Sequence, residues 1–260
     1  MEVVPINKLP AEMLERVFHL LPLRDRLAVV LVCKWWNEVG EAPGLWMWVR
    51  LVVKKDNLEC MPRVLTFPRL RAVKSLQVRV VSEKLLHAIG KHPGLSEVVI
   101  KNLDNTPLTK QLATVLFTTI KYSLVLKSLT LSNNELMEMD DRLLAEAINQ
   151  LEEVELCNTK LTNQQWEAIF DALGESCKLK TLRIDYNNLA SVDAKRMARG
   201  INKLENVEIS GSVLTNWQIN NILISSLQKT SLKRLRIRRG DMEEGLLQRL
   251  SLVISDFRAI

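Results

Sequence analysis

The sequence predicts an α/β protein in which a helical N-terminal segment is fused to a repetitive solenoid. Three observations predict it. The segment from Leu9 to Trp46 contains more apolar side chain than roughly 40 residues can bury by themselves. A pattern of the form Leu-x-x-Leu-x-Leu recurs along the rest of the chain. Apolar residues at helical spacing lie between its copies. We therefore expect short parallel strands on a concave face and returning helices on a convex face.

The start of the chain predicts two helices. Pro10 stands at a typical first helical position, and Glu12 lies where the helix dipole favours an acid. Two adjoining apolar stripes follow at helical spacing: Met13, Leu14, Val17, Phe18, Leu20 and Leu21. Pro22 ends this helix, and Asp25 begins the next. The unbroken apolar run 27–33 and the tryptophans after it exceed what the segment can cover. We therefore expect a permanent partner surface here.

Four sub-motifs in this segment resemble the F-box family. The matching residues are, in chain order, Leu9-Pro10-x-Glu12, Pro22…Asp25-x-Leu27, Val32-Cys33-Lys34-x-Trp36 and Pro43-x-Leu45-Trp46. Their order and spacing make the resemblance specific. Two positions depart from the family pattern, because Trp35 stands where a basic or polar residue is common and Arg26 replaces a frequent leucine.

The F-box resemblance implies a three-helix domain over residues 1–50. It also implies that this domain binds the Skp-type adaptor of a cullin-based ubiquitin ligase. The residues that it implies for adaptor contact are Leu9, Pro10, Glu12, Leu14, Pro22, Leu27, Val32 and Cys33. In such a complex the chemistry belongs to other subunits, so the resemblance implies a non-catalytic chain that supplies proximity and orientation.

The repeats define the rest of the chain. Copies of the leucine pattern begin at Trp48, Val73, Leu95, Leu126, Leu151, Leu179, Leu204 and Leu232. Alternate copies, from Val73 to Leu232, begin 53 residues apart. The repeating unit is therefore a pair of repeats, one of about 25 and one of about 28 residues, and we assign about seven to eight repeats to residues 51–260.

This pairing resembles ribonuclease-inhibitor-type leucine-rich repeats, which alternate two related repeat types. Asn134 and Asn187 occupy the ninth position of the first type. The usual ninth-position cysteine of the second type is replaced by Thr159 and Ser212. These polar side chains are expected to satisfy backbone groups at the turn. Between the copies, residues such as Trp166 are expected to be core residues of the returning helices.

We expect the two modules to share one rigid core, because Trp48–Val53 is both the tail of the first module and the first strand of the second. Limited proteolysis should therefore not release an intact N-terminal fragment. The repeat that begins at Leu95 is irregular, with three extra residues between Asn102 and Leu108. Early cleavage is expected instead at Asn102–Thr106.

No catalytic or cofactor-binding constellation is visible. His19, His87 and His92 are the only histidines, and none has a cysteine or acid at metal-ligand spacing. We interpret His87 and His92 as a solvated surface pair and Cys33, inside its apolar run, as an inert structural thiol. The sequence also lacks a glycine-rich phosphate loop, a CxxC pair and a nucleophile elbow. We therefore expect neither an enzyme nor a bound cofactor or metal.

Composition favours a cytoplasmic or nuclear protein. No apolar run approaches the ~20 residues that span a bilayer, so no membrane is expected as a partner. The N-terminus has no positively charged region before an apolar stretch, which argues against a signal peptide. The four cysteines are scattered, as is usual for reduced intracellular thiols.

Charge is concentrated in the repeats. Residues 1–50 are balanced, so the net charge of +6 belongs to the remainder. On the concave face, the fifth positions predict an alternating ion ladder: Glu155, Arg183, Glu208 and Arg236. Only the last predicted strand has a basic excess: Lys233, Arg234, Arg236, Arg238 and Arg239. One basic strand without interleaved aromatic residues is weak support for nucleic acid.

Two explanations remain open for this last strand. Arg234, Arg236 and Arg238 are candidate substrate-binding residues, since arginine forks bind carboxylates or phosphates of an acidic or phosphorylated segment. Only Arg236 has a predicted partner, Glu208. Alternatively, the strand is the exposed edge of the sheet, and its like charges discourage edge-to-edge association.

These observations favour a substrate-recognition subunit of a Skp–cullin–F-box type ubiquitin ligase. In this hypothesis the F-box binds the Skp-type adaptor, and through it a cullin, while the repeats bind a protein substrate on the concave face. The alternative is a protein-binding or assembly module that engages the adaptor without delivering a substrate. A third hypothesis is a repeat-type nucleic-acid or inhibitor module, testable by a salt-dependent nucleic-acid shift.

Overall fold

The sheet of this protein has the simplest order a parallel sheet can have. The computed structural model describes residues 5–101, 108–175, 178–212, 214–228, 230–238 and 244–259. Within them, nine strands form one sheet in which every neighbouring pair is parallel and the strand order follows the sequence. The strands are β1 (Arg50–Val53), β2 (Ser75–Val78), β3 (Glu97–Lys101), β4 (Ser128–Ser132), β5 (Glu153–Cys157), β6 (Thr181–Asp185), β7 (Asn206–Ser210), β8 (Arg234–Ile237) and β9 (Asp256–Ala259).

Helices precede the sheet and alternate with its strands. The first three, before β1, are α1 (Ala11–His19), α2 (Leu23–Val29) and α3 (Lys34–Gly40). The others are α4 (Met61–Val64), α5 (Glu83–Lys91), α6 (Lys110–Tyr122), α7 (Asp141–Asn149), α8 (Asn163–Glu175), α9 (Ala194–Ile201), α10 (Asn216–Gln228) and α11 (Glu244–Val253). From α4 to α11, each helix packs on the next one along the chain. The predicted α/β class is confirmed. The described helices include none that is both long enough and apolar enough to cross a membrane.

The leucine pattern marks the buried face of each strand. Leu179, Leu182 and Ile184 are the first, fourth and sixth residues of one copy, and at most 2% of each is exposed. The residues between them alternate to the other side, because successive side chains of a strand point to opposite faces. We call the face that carries the third, fifth and seventh residues of the repeats the open sheet face.

Polar residues at the ninth position connect neighbouring repeats inside the core. The buried Asn187 accepts two hydrogen bonds at its Oδ1, from the N–H and from the hydroxyl of Thr159, each 3.0 Å long. Its Nδ2 donates to the main-chain oxygens of Leu156 and Asp185, both at 2.9 Å. The N–H of Asn187 donates to the hydroxyl of Ser212 at 2.9 Å. The residues that replace cysteine therefore join the hydrogen-bond ladder, as expected of the turn.

A left-handed residue follows each of four central strands. Asn133, Asn158 and Tyr186 have φ of 59°, 49° and 51°, and Gly211 has φ of 65°. The N–H of each of the first three donates to a carbonyl of the next strand at 2.9 to 3.0 Å, which extends the ladder by one bond. A Cβ on Gly211 would lie 2.6 Å from the ring of Tyr186, so this copy of the turn requires glycine.

The structure differs from two expectations about the strands. The strand at Arg234–Ile237 is not an edge, because β9 pairs with it in parallel through Leu235–Phe257 and Ile237–Ala259. The edge explanation of its arginines is therefore wrong. Trp48 does not fill the first inward position of its copy, since 75% of it is exposed while Val49 is buried. The loop Asn102–Thr106 lies outside the described residues.

One hydrophobic core runs through the N-terminal helices and the sheet. Buried residues of α1, such as Leu14 and Phe18, belong to the same cluster as the inward residues of every strand from β1 to β8. An ion pair of 3.3 Å between Arg69 and Glu41 also joins the two parts. Trp166 is fully buried in this core, which confirms its prediction.

Candidate functional site

The first helix divides its two apolar stripes between the core and the surface. Leu14 and Phe18 face inward, with 0% and 1% of their surface exposed. Met13, Val17 and Leu20 lie on the other stripe and are exposed by 49%, 37% and 86%. Their spacing of four and three residues places them on one side of the helix. The helix therefore presents a continuous apolar stripe to its surroundings.

The same surface continues beyond α1. Within residues 5–46, the exposed large apolar residues are Ile6, Met13, Val17, Leu20, Leu23, Leu27, Leu31, Val32 and Trp35. Leu31 and Val32 lie in the turn between α2 and α3 and are exposed by 84% and 61%. We call this set the apolar surface. A cluster of this kind marks a protein-binding site, because water contact with so much apolar area is unfavourable.

A tightly packed framework holds the apolar surface in place. The rings of Phe18 and Trp36 meet edge to face with centroids 5.2 Å apart. The indole N–H of the buried Trp46 donates to the main-chain oxygen of Gly40 at 2.8 Å. Gly40 packs so closely that a Cβ there would lie 2.5 Å from the side chain of Val30. The positions of α1, α2 and α3 are therefore fixed from beneath.

Arg26, which departs from the family pattern, is also part of this framework. Its guanidinium donates to the main-chain oxygen of Leu45 at 2.6 Å, and to those of His19 and Leu21 at 3.0 Å each. These carbonyls belong to the end of α1 and to the turn before β1, where helical hydrogen bonding has ended. One side chain thus connects three segments of the domain.

The residues predicted for adaptor contact occupy different depths. Six of them are exposed: Pro10, Glu12, Pro22, Leu27, Val32 and Cys33. Leu9 is half-buried, and Leu14 lies in the core with no exposed surface. Cys33, interpreted as an inert structural thiol inside its apolar run, is exposed in the extended residue that precedes α3, so that run does not enclose it.

Sequence reasoning did not select several exposed members of the apolar surface as adaptor contacts. Met13, Leu20 and Leu31 match none of the four F-box sub-motifs, so the resemblance did not select them. The second of the two apolar stripes of the first helix already indicated an exposed apolar surface. A helix that packs against one core needs only one apolar stripe.

A second candidate surface is the open sheet face near β8. The predicted ion ladder is confirmed, because Arg183 lies 3.7 Å from Glu155 and 3.8 Å from Glu208, and Arg236 lies 3.8 Å from Glu208. A depression of about 90 Å³ lies here, and its lining includes Arg183, Glu208 and Arg236 of the ladder together with Arg234.

The basic excess at β8 is partly neutralised by the chain itself. The Nε of Arg234 lies 2.7 Å from the carboxylate of Asp256 on β9, so the expectation that only Arg236 has a partner is wrong. Hydrogen bonds from Arg234, and the charge of Arg258, hold the pKa of Asp256 below its ordinary value. Of the three predicted arginines, only Arg238 has no ion-pair partner in the described part of the chain. Arg239 lies outside the described residues.

The histidines give no support for a metal site. His87 is exposed and lies 3.5 Å from Glu83. His92 is buried, with Nε2 3.0 Å from the oxygen of Leu70 and Nδ1 accepting from the N–H of Gly94 at 3.2 Å. The interpretation of the two as a solvated pair is therefore wrong for His92, whose pKa is lowered by burial. Within the described ranges, no group of three His, Cys, Asp or Glu side chains could hold a metal ion.

Comparison with known families identifies the N-terminal part of the chain. Residues 6–51 match the family described as F-box-like, which covers α1, α2, α3 and the start of β1. The chain therefore contains an F-box-like domain. Domains of this class are typically adaptor-binding modules and non-catalytic components of ubiquitin ligase complexes. No curated protein matches the chain significantly.

Proposed function

We propose that this protein is the substrate-recognition subunit of a Skp–cullin–F-box type ubiquitin ligase. The observation that supports the proposal most is the apolar surface within a segment that matches the F-box-like family. Residues 1–50 would hold the Skp-type adaptor, and through it a cullin. Residues 51–260 would form a leucine-rich-repeat solenoid that holds the protein to be modified.

Adaptor contact is assigned to the exposed residues of the apolar surface together with Leu9, Pro10, Glu12, Pro22 and Cys33. Burial of Leu31 and Val32 against a partner would remove apolar area from water at about 25 cal/mol per Å². Leu14 supports this surface from the core and would not touch the adaptor.

The open sheet face is the proposed substrate surface. A parallel sheet whose neighbouring repeats stack in sequence presents an extended row of side chains to a bound protein. Arg234, Arg236 and Arg238 remain candidate contacts for an acidic or phosphorylated segment. Arg238 is the strongest of the three, because the other two already face carboxylates of the chain.

The adaptor assignment is tested by charge substitution on the apolar surface. Leu31→Glu plus Val32→Glu should abolish co-purification with a Skp-type adaptor and leave the melting temperature unchanged, because both side chains are exposed. Leu124→Glu is the matched control, since Leu124 is 99% exposed and lies outside the F-box-like domain. Undiminished adaptor binding by the double variant would refute the assignment.

The alternative function is an assembly module that engages the adaptor without delivering a substrate. The adaptor-bound chain should also retain a cullin if it works in a ligase. Retention of the adaptor without a cullin would favour the alternative.

A further inference from the structure

Charges on adjacent strands compensate each other along most of the sheet. At the second position of the repeats, the Nζ atoms of Lys127 and Lys180 lie 2.7 and 3.1 Å from the carboxylate of Glu152. Further along the same row, Lys233 lies 2.7 Å from Glu205. The ion ladder at the fifth position follows the same rule. Such opposite-charge neighbours stabilise a sheet, whereas like charges side by side destabilise it.

The seventh position of the first three repeats carries like charges on neighbouring strands instead of opposite ones. The residues at this position are Lys54, Arg79 and Lys101. Each comes directly after a residue that is paired with its neighbour in the registers of β1 with β2 and of β2 with β3. Three cations therefore stand side by side at the strand spacing of about 4.8 Å. We call these three residues the basic row.

The basic row has no compensation in the described part of the chain. None of its three side chains has an acidic group within ion-pair distance there. The Nε of Arg79 is buried and has no hydrogen-bond partner. The adjacent fifth positions are uncharged as well, being Val52, Gln77 and Val99.

The sign of the charge reverses further along the same position. Ser132 and Cys157 are neutral, and Asp185 then carries an acid. An anion on the basic row is therefore attracted to β1, β2 and β3 and not to the middle of the sheet. This gives the row a defined extent of about 10 Å, since it spans two strand spacings.

We infer that the basic row is the docking site for an extended acidic segment of a substrate protein. The inference rests on the proposed function only in taking the bound protein to be a substrate. Alternate side chains of an extended segment lie about 6.8 Å apart on one face, so two carboxylates at alternate positions cover the three cations. A single phosphate group is more compact and would leave part of the row uncompensated. Binding then relieves a repulsion that the free chain contains.

The test uses the full chain in complex with its adaptor and a labelled peptide in which glutamate alternates with threonine. Fluorescence anisotropy should show binding that weakens as salt rises. The variant Lys54→Gln plus Arg79→Gln plus Lys101→Gln should bind about tenfold more weakly, which is about 1.4 kcal/mol. The control Lys84→Gln plus Lys110→Gln plus Lys195→Gln, which removes as many cations from exposed positions on the helices α5, α6 and α9, should bind within about twofold of the unmodified chain.

Several results would overturn the inference. They are absence of binding by the unmodified chain, equal loss in both triple variants, equal binding of the peptide with glutamine in place of glutamate, and tighter binding of a single-stranded oligonucleotide than of the acidic peptide. Displacement of the peptide by inorganic phosphate at a concentration that leaves the ionic strength unchanged would also contradict it.

The free chain supplies an independent measurement. Because the three cations repel each other, the first triple variant should melt at a higher temperature than the unmodified chain. A lower melting temperature would assign the row a structural role and overturn the inference. Adaptor binding should persist in this variant. Absence of peptide binding by an unmodified chain that still holds the adaptor refutes the inference alone, and undiminished adaptor binding by the Leu31 and Val32 variant refutes the proposed function alone.

Discussion

The guanidinium of Arg26 donates a hydrogen bond of 2.6 Å to the main-chain oxygen of Leu45, across 19 residues of sequence. This contact joins the second helix to the turn that leads into the sheet. The F-box resemblance alone would suggest that leucine, which is frequent at this position, stabilises the domain at least as well as arginine. The hydrogen bonds of Arg26 indicate the opposite.

Arg26→Leu should therefore lower the free energy of unfolding by about 1–3 kcal/mol, because three carbonyl oxygens lose their donor. Arg24→Leu, two residues earlier and exposed, should change it by no more than about 0.5 kcal/mol. Urea denaturation measures both. Equal effects of the two substitutions would show that the Arg26 contacts contribute nothing.

Asn187 should be the most sensitive polar residue of the core. Asn187→Leu leaves the N–H and hydroxyl of Thr159 without an acceptor and two carbonyls without a donor, so we expect a loss of about 3 kcal/mol. Asn134→Leu, at the equivalent position 53 residues earlier, removes one hydrogen bond to Ser132 and should cost about 1 kcal/mol. Thermal unfolding that ranks the two in reverse order would contradict the ladder.

Gly211 and Gly245 should respond oppositely to alanine. Gly211→Ala places a Cβ at φ of 65° and against the ring of Tyr186, so it should destabilise by about 1–2 kcal/mol. Gly245 lies in α11 with nothing within 4 Å of its Cβ position. Gly245→Ala should therefore stabilise, by up to about 1 kcal/mol. A neutral Gly211→Ala variant would show that the turn tolerates side chains.

His92 should make stability depend on pH. Burial holds its pKa below the ordinary value of 6.5, and both ring nitrogens are hydrogen-bonded in the neutral form. Arg71, Lys84 and Lys91 line the same groove and supply no negative charge to an imidazolium. The unfolded chain then binds a proton at a higher pH than the folded chain. The contribution is full above about pH 6.5 and is lost as the pH falls below it.

The check is the free energy of unfolding between about pH 7 and pH 5, a window above the titration of most carboxylates. It should fall with pH in the unmodified chain and in His87→Gln, and fall less in His92→Gln. An identical slope in all three would remove His92 as the cause.

The sequence predicted the register of the sheet because each copy of the leucine pattern fixes which residues face inward. The pairing of Glu155, Arg183, Glu208 and Arg236 followed from that register and is confirmed. The ninth strand was missed because its inward residues are Ile254, Phe257 and Ala259, a copy in which an aromatic and a small residue replace leucines.

Other features depended on tertiary packing that no local pattern encodes. Trp48 was placed inward by its position in the pattern, but Val49 fills that space and Trp48 lies beneath Lys74, whose Nζ is 5.9 Å from the ring centroid. His92 is buried by contacts with a segment 22 residues earlier in the chain. The binding surface itself was predicted from an excess of apolar residues, yet which of them are exposed depended on how α1 packs.

The sequential strand order has a consequence for how the chain folds. Paired residues such as Leu182 and Val207 are 25 positions apart in a chain of 260, so a typical sheet contact spans about one-tenth of its length. That relative contact order is in the range of fast-folding helical proteins, although the sheet is entirely parallel. No contact between distant parts of the chain has to form first. During synthesis the F-box-like domain can therefore fold before the last strands leave the ribosome.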